Sequence, residues 1–317
     1  MVDLHKLFTK FNGEITLTST KKDNLKTGRG ALRKKIKDKF TEKGRTNPKF
    51  CGQGSFMMKT TVNPINGEYD LDDGVYIQGY SDMEQTEWPV ASTIHKWIYD
   101  AVENHTSTAP INKDTCVRVI YVNYYHIDLP SYIVKDDVAY LAHKRDGWVV
   151  SDPKAFTDWF IGKVKDEGEQ LRSLVKYLKA WKDYKGIDFK GIAITILVGE
   201  NFYPYEKRDD LALLGTITQI IDTLESDFKC VKPVAPNEDI FKGISETKKT
   251  NILDGLRTLK DKIQEAVNKE DEEEASNLMI DCFGSRFPKG EKTSKNSTSS
   301  YVTTSSPSIL KNDGRSA

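Results

Sequence analysis

Two acidic residues, Asp70 and Asp72, stand two positions apart in the segment YDLDDGVYI, whose apolar residues predict a β-strand. Side chains at positions i and i+2 of a strand point to the same face, so the two carboxylates lie close together. Like charges at so short a distance repel strongly unless a cation lies between them. Carboxylate oxygens are ligands that Mg²⁺ accepts. The pair therefore predicts a divalent metal site.

A small-residue turn, Gly54 and Ser55, precedes a short helix that we predict over residues 56–60. Backbone N–H groups and a hydroxyl at the start of a helix form a binding site for anions. An anion site followed along the chain by an acidic pair indicates a metal ion that holds a nucleoside triphosphate.

A third carboxylate, Asp128, lies in a segment rich in Val, Ile and Tyr, residues 116–140, which predicts strands. A buried Asp is costly without a partner. Considered in isolation, Asp128 is equally well explained as a capping or turn residue before Pro130. The upstream acidic pair, however, would allow it to share a bound metal ion. His126 lies on the same strand face and either lines a cleft or packs locally.

Elsewhere the apolar spacing predicts helices, which together with these strands indicates an α+β fold, and 317 residues are enough for two lobes. The segment 191–202 is ambiguous, because its β-branched residues favour a strand whereas its neighbours favour a helix; we predict a helix. The other predicted helices cover residues 23–41, 88–103, 154–168, 170–184, 209–224, 246–267 and 272–282.

Composition limits the function classes. The 317 residues include 47 basic and 47 acidic side chains, so the net charge of zero gives no overall attraction to nucleic acid or membranes. No apolar run approaches the roughly 20 residues of a membrane span, and MVDLHKLF lacks the apolar core of a signal peptide. We expect a cytoplasmic protein. The four scattered cysteines indicate neither a zinc site nor disulfides.

Other readings of the acidic pair fit less well. An EF-hand loop needs an oxygen ligand where Gly74 stands. Haloacid-dehalogenase-type phosphatases also use a D-x-D pair, but there an apolar strand leads into the first Asp, whereas here the polar segment NPINGEY precedes it. P-loop and Rossmann fingerprints are absent from the sequence.

The segments GSFMMKT, YDLDDGVYI and YHIDLPSYIV resemble motifs of the bacterial cGAS/DncV-like nucleotidyltransferases, a family of cyclic-oligonucleotide synthases of anti-phage (CBASS) systems. LVKYLKAWKD and FGSRFP are similar to the spine of the helical lobe and to the closing segment of that family. The resemblance spans about residues 20–288. It implies a polymerase-β-like core with a mixed sheet over residues 1–150 and an α-helical lobe over residues 151–288. Residues 289–317 are rich in Ser and Thr and poor in apolar residues, which predicts a disordered tail.

The same resemblance implies chemistry for the three carboxylates. Asp70, Asp72 and Asp128 would hold two Mg²⁺ ions, for which Mn²⁺ could substitute. Asp128 would also help to remove the proton from the attacking ribose hydroxyl. The expected reaction joins NTPs, ATP among them, into a cyclic di- or trinucleotide without a template and releases pyrophosphate.

Gly54 and Ser55 would then cradle the donor triphosphate. Lys179 is similar in placement to the family lysine that reaches the triphosphate from the helical lobe, and Lys176 is a weaker candidate; both are also readable as ordinary helix lysines. We expect regulatory or effector proteins of a defence operon as partners, and no strong nucleic-acid binding. The alternatives are a catalytically silent nucleotide-binding relative and a transferase that adds nucleotides to RNA ends.

Overall fold

The structure, a computed structural model, describes residues 1–65, 67–122 and 125–292. The helices in this part of the chain are α1 His5–Ile15, α2 Ser19–Glu42, α3 Gly54–Met57, α4 Ala91–Val102, α5 Pro153–Glu167, α6 Glu169–Lys185, α7 Gly191–Glu200, α8 Asp209–Ser226, α9 Glu246–Asn268 and α10 Glu272–Phe283. None of them is long and apolar enough to cross a membrane.

The strands form one mixed sheet in the order β3-β4-β5-β2-β6-β7-β8, with β1 paired to β2. They are β1 Lys49–Gln53, β2 Tyr69–Tyr76, β3 Ile111–Asn112, β4 Val117–Tyr121, β5 Tyr125–Leu129, β6 Ser131–Lys135, β7 Val138–His143 and β8 Gly147–Val150. Strand β2 runs parallel to β5 and β6 and antiparallel to β1, while the remaining pairs are antiparallel.

The sheet has one face packed on helices α2 and α4. From β2, Leu71 and Val75 point into this core, where they meet Leu32 and Ile36 of α2 and Ile94 of α4. The apolar residues of α2 therefore pack against the sheet, as their helical spacing predicts, and most of its lysines and arginines lie at the surface. Because side chains alternate along β2, Asp70 and Asp72 face away from this core.

The second lobe is built around α6, whose residues from Leu174 to Trp181 are all buried. Helix α7 packs beside it with Ala193 to Gly199 buried. The prediction of a helix for residues 191–202 is confirmed. A helix that is apolar on every side is stable only inside a core, so its surroundings override the strand propensity of its residues.

Helix α1 packs in a different lobe from the one predicted. The prediction groups it with the catalytic core, but Phe8 and Phe11 pack against Tyr177 of α6 and against Phe283 and Phe287. It belongs to the apolar core of the helical lobe. The physical reason is that the apolar face of α1 packs against the aromatic rings of the FGSRFP segment. The boundary at residue 150 stays a prediction.

Two further predictions concern local structure. The short helix predicted over residues 56–60 is α3, Gly54–Met57, which begins two residues earlier and ends three residues earlier than predicted. Of the predicted disordered tail over residues 289–317, the structure describes residues 289–292, which form neither helix nor strand; residues 293–317 lie outside the described part.

Candidate active site

A cavity of about 550 Å³ lies between the sheet and the helical lobe. Five of the seven residues singled out from the sequence line it, namely Gly54, Ser55, Asp70, Asp72 and Lys179. They come from a turn, from strand β2 and from helix α6, so both lobes contribute. This cavity is called the cleft below.

Gly54 has a conformational and a steric reason to be glycine. Its φ of +71° lies in the left-handed region, which side chains with a Cβ rarely adopt. A Cβ at this position would lie 2.2 Å from Oδ2 of Asp72. The turn therefore brings backbone directly against the acidic pair. Ser55 follows, with Oγ 2.8 Å from Oγ1 of Thr61 across the same loop.

Asp72 and Asp128 are direct neighbours in the parallel pairing of β2 with β5. Burial, followed by the charges of Asp70 and Asp128, raises the pKa of Asp72 well above its usual range. Arg118 opposes this effect. Asp72 is thus buried next to two further carboxylates, which is an environment that favours a bound cation.

Asp128 itself is engaged by a cross-strand partner. Arg118 of β4 faces it in register and donates from Nε to Oδ1 and from Nη2 to Oδ2, both at 2.7 Å. This is a bidentate pair. Accordingly, among the described residues there is no group of three His, Cys, Asp or Glu side chains arranged to hold a metal ion as they stand. Asp128 also does not line the cleft.

Asp73 points to the opposite face of β2, as its position in the strand predicts. It is 1% exposed and accepts hydrogen bonds from Nε and Nη2 of Arg33 on α2. The pair ties the helix to the sheet away from the cleft. Two carboxylates adjacent in sequence therefore have separate roles, because strand side chains alternate.

The two lysines of α6 enter different cavities. Lys179 lies in the cleft, where its Nζ donates to Oγ1 of Thr60 at 3.0 Å, and burial lowers its pKa to about 8. Lys176, one turn earlier, lines a second cavity on the other side of the 54–61 loop, and its Nζ donates to Oγ1 of Thr16 at 3.1 Å. Only Lys179 is placed with the acidic pair.

Two family models match the chain. The model described as cyclic GMP-AMP synthase DncV-like, nucleotidyltransferase domain, matches residues 48–132. The model described as cyclic GMP-AMP synthase, C-terminal domain, matches residues 168–296. The first match contains the Gly-Ser turn and all three carboxylates, and the second contains both lysines.

The chain belongs to the DncV-like nucleotidyltransferase family. The resemblance read from the motifs is thereby confirmed, as is the enzyme class.

Individual relatives agree with this assignment. A cyclic GMP-AMP synthase of Escherichia albertii is 30% identical over 209 residues, which cover 62% of this chain and 45% of that protein. One of Escherichia coli (strain TW11681) is 24% identical over 77% of this chain and 69% of its own length. The structure of Vibrio cholerae DncV cyclic AMP-GMP synthase with nonhydrolyzable GTP superposes with a TM-score of 0.76 at 20% identity, covering 90% of this chain and 97% of that chain. This likeness confirms the α+β fold with its helical lobe.

DncV-like nucleotidyltransferases generally use divalent metals, and the cleft fits such an ion in part. Asp70 and Asp72 supply carboxylate oxygens on one strand face, and burial, followed by the neighbouring carboxylates, raises the pKa of Asp72. Asp128, whose two oxygens are held by Arg118 and which does not line the cleft, does not fit as a further ligand in this arrangement. The donor set is all oxygen, as Mg²⁺ and Mn²⁺ prefer.

Several cleft residues of this family member escape the sequence analysis. Gln53 is 3% exposed, donates to Oη of Tyr132 and keeps a buried Oε1 without a partner. Oε2 of Glu68 lies 2.8 Å from Nδ1 of His126 and accepts a hydrogen bond from it when that nitrogen carries the proton. Lys182 lines the cleft one turn beyond Lys179. The i, i+3 spacing alone does not identify Lys182, because Lys176 is spaced equally from Lys179 and lines the other cavity.

Proposed function

We propose that the chain joins nucleoside triphosphates, ATP among them, into a cyclic di- or trinucleotide without a template and releases pyrophosphate. The observation that carries this proposal is the shared cleft of the Asp70 and Asp72 carboxylates, the Gly54-Ser55 turn and the buried Lys179. The name cyclic GMP-AMP synthase carried by the sequence relatives supports it. A cytoplasmic role in anti-phage defence, with regulatory or effector proteins as partners, belongs to the same proposal and rests on the family resemblance.

Asp70, Asp72 and Asp128 would hold two Mg²⁺ ions, and Mn²⁺ would substitute. When bound, the ions would lower the pKa of the attacking hydroxyl and neutralise charge on the pyrophosphate leaving group. Asp128 would accept the ribose proton, for which its carboxylate must turn from Arg118 toward the cleft. Because phosphoryl transfer depends chiefly on positioning and charge, the rigid β2-β5 register is the structural contribution of the sheet.

The triphosphate would be held by the chain itself at the 54–55 turn. The Gly54 and Ser55 backbone N–H groups and the Ser55 hydroxyl would donate to phosphate oxygens. Lys179 would add a positive charge from the helical lobe, and an anion beside it would favour its protonated form. We place Lys176 outside this set, since it lies in the second cavity.

The test is incubation of the purified chain with all four NTPs and Mg²⁺, followed by phosphatase treatment and mass spectrometry. The proposal predicts phosphatase-resistant products whose masses equal cyclic di- or trinucleotides. Extension of an added RNA oligonucleotide would support the alternative of a transferase acting on RNA ends. Absence of turnover with both Mg²⁺ and Mn²⁺ across NTP mixtures would support a catalytically silent relative.

A further inference from the structure

A second cavity of about 520 Å³ lies between α2, α3 and α6, on the other side of the 54–61 loop from the cleft. We call it the basic cavity. Glu169 is the one acidic residue among the described residues that line it. The cationic residues that line the basic cavity are Lys22, Lys26, Arg29, Lys59, Arg172 and Lys176. In a chain with zero net charge, this is a local concentration of positive charge inside a concave site.

Two of these cations are nine-tenths buried. Lys176 is 9% exposed and Arg172 is 8% exposed. Within the described part of the chain, the hydrogen bond from Nζ of Lys176 goes to a neutral hydroxyl, that of Thr16. Burial, then the charges of Lys22 and Arg172, lowers the pKa of Lys176 to about 8, and Glu169 offsets this only in part. A buried ammonium without a carboxylate partner is costly, so the cavity is complementary to an anion.

The ligand must be small and must carry several adjacent charges. The volume is that of a small-molecule site, and the cations approach from three separate elements. Arg and Lys side chains converging in this way bind phosphate groups. Phe56 and Met57 of α3 line one side and offer an apolar surface for a ring. We propose that the basic cavity binds a small ligand bearing at least two linked phosphates, such as a nucleoside polyphosphate, at a site separate from the cleft.

The walls of the two cavities are physically connected. Thr61 lines both, and its hydroxyl contacts Ser55. Arg172 donates from Nε to the carbonyl of Met58 at 2.8 Å from the side of the basic cavity, while Lys179 holds Thr60 from the side of the cleft. A ligand that draws Arg172 toward it therefore acts on the loop that carries the Gly54-Ser55 turn. The resulting control of turnover rests on the proposed function, whereas binding does not.

Binding is tested by titration calorimetry of the full chain with inorganic tripolyphosphate in EDTA, which removes the metal that would hold the probe in the cleft. We expect tripolyphosphate to bind at least tenfold more tightly than sulfate. Lys176→Gln should weaken it at least tenfold, and so should the double variant Lys26→Gln/Arg29→Gln, which changes less buried residues and guards against misfolding. Lys185→Gln, on the same helix but in neither cavity, and Asp70→Asn/Asp72→Asn should bind as the wild type does.

Binding no tighter than sulfate, equal binding by all variants, or loss only in the Asp70→Asn/Asp72→Asn variant would overturn the proposal. The link to the cleft has its own readout in hydrogen exchange of residues 54–61. Tripolyphosphate in EDTA should slow this exchange in the wild type and in Lys185→Gln but not in Lys176→Gln. Protection confined to α2 and α6 would overturn the coupling while leaving the binding site in place. None of these measurements requires turnover, so their failure is distinct from failure of the proposed synthase activity.

Discussion

Arg118 and Arg33 perform the same local task on opposite faces of the sheet. Each forms a bidentate pair with one carboxylate, Arg118 with Asp128 and Arg33 with Asp73. The surroundings differ, because Asp128 lies beside the acidic pair whereas Asp73 lies against α2. Removal of either arginine leaves a largely buried charge unpaired, which costs stability, but only Asp128 has a second use for its oxygens.

We predict that, without divalent metal, Arg118→Gln lowers the free energy of unfolding by on the order of 1–3 kcal/mol and therefore lowers the melting temperature. Added Mg²⁺ should then stabilise this variant more than the wild type, since the freed carboxylate strengthens the cation site. Thermal unfolding with and without Mg²⁺ measures both effects. The matched control is Arg33→Gln, which should be destabilised without rescue by Mg²⁺. Equal rescue of the two variants would mean that Asp128 is not a metal ligand.

A second prediction concerns the buried charge of Lys176. Its pKa is about 8 in the folded chain against an ordinary value of 10.5, so the unfolded chain binds this proton more tightly than the folded chain does. Below pH 8 the buried lysine is charged, and the full free-energy cost of burying that charge is present. Lys176→Met should stabilise the fold at pH 7 by on the order of 2 kcal/mol. The gain should shrink as pH rises from 8 toward 10.5, measured by urea unfolding at several pH values. A pH-independent difference would contradict this account.

At the residue scale, alternation along a strand is sufficient to predict the facing of Asp70, Asp72 and Asp73, because it depends on the chain locally. The bidentate partner of Asp128 was not predictable in this way. It depends on which residue of β4 lies opposite it, and that register is fixed by the turn and by packing of the whole sheet. The separation of Lys176 from Lys179 likewise depends on where the 54–61 loop crosses α6.

At the scale of elements, the turn into α3 is the most constrained connection of the cleft. Its position follows from the approach of Gly54 to Asp72, which only a residue without Cβ permits. The turn was predictable from Gly54 and Ser55, but the predicted helix begins too late, because a four-residue helix has too few positions to show a period. By contrast α2, with 24 residues, has enough turns for its apolar spacing to be unambiguous.

We predict that Gly54→Ala reduces turnover by at least tenfold, because the new methyl must displace the Asp72 carboxylate and the positive φ costs a further ~1 kcal/mol. The measurement is steady-state pyrophosphate release, with circular dichroism to verify folding. Gly30→Ala in α2 is the control: its Cβ would meet nothing within 4 Å, so it should leave activity unchanged and stability equal or slightly higher. Unimpaired turnover of Gly54→Ala would show that the close approach is not needed.

At the scale of the whole molecule, the two lobes are joined by more than the segment between β8 and α5. Helix α1 lies in the core of the helical lobe, whereas α2, three residues further on, lies in the core of the sheet lobe. The N-terminal helices thus cross the molecule and place the basic cavity and the cleft on two sides of one loop. The chain length and the family resemblance were enough to predict two lobes, but the packing of α1 in the helical lobe depends on contacts with Phe283 and Phe287, which are distant in sequence.

We predict that Phe8→Ala destabilises the protein by about 3–5 kcal/mol, although Phe8 lines neither cavity. Its fully buried ring contacts Tyr177, Phe283 and Phe287, and its removal leaves a cavity between α1 and the helical lobe. Chemical denaturation measures the loss, and Phe8→Leu should cost clearly less. A change below 1 kcal/mol would mean that α1 is not held in this core.

The most direct test of the synthase account compares the wild type with Asp70→Asn/Asp72→Asn in one assay of NTPs and Mg²⁺, read by mass spectrometry of phosphatase-resistant products. The account predicts cyclic oligonucleotide from the wild type and a loss of several orders of magnitude in the variant, because its two carboxylates can no longer hold the cation that phosphoryl transfer needs. The variant should melt at the wild-type temperature or higher without metal, since like charges are removed. Comparable synthesis by the two proteins, or linear products attached to RNA, would contradict it.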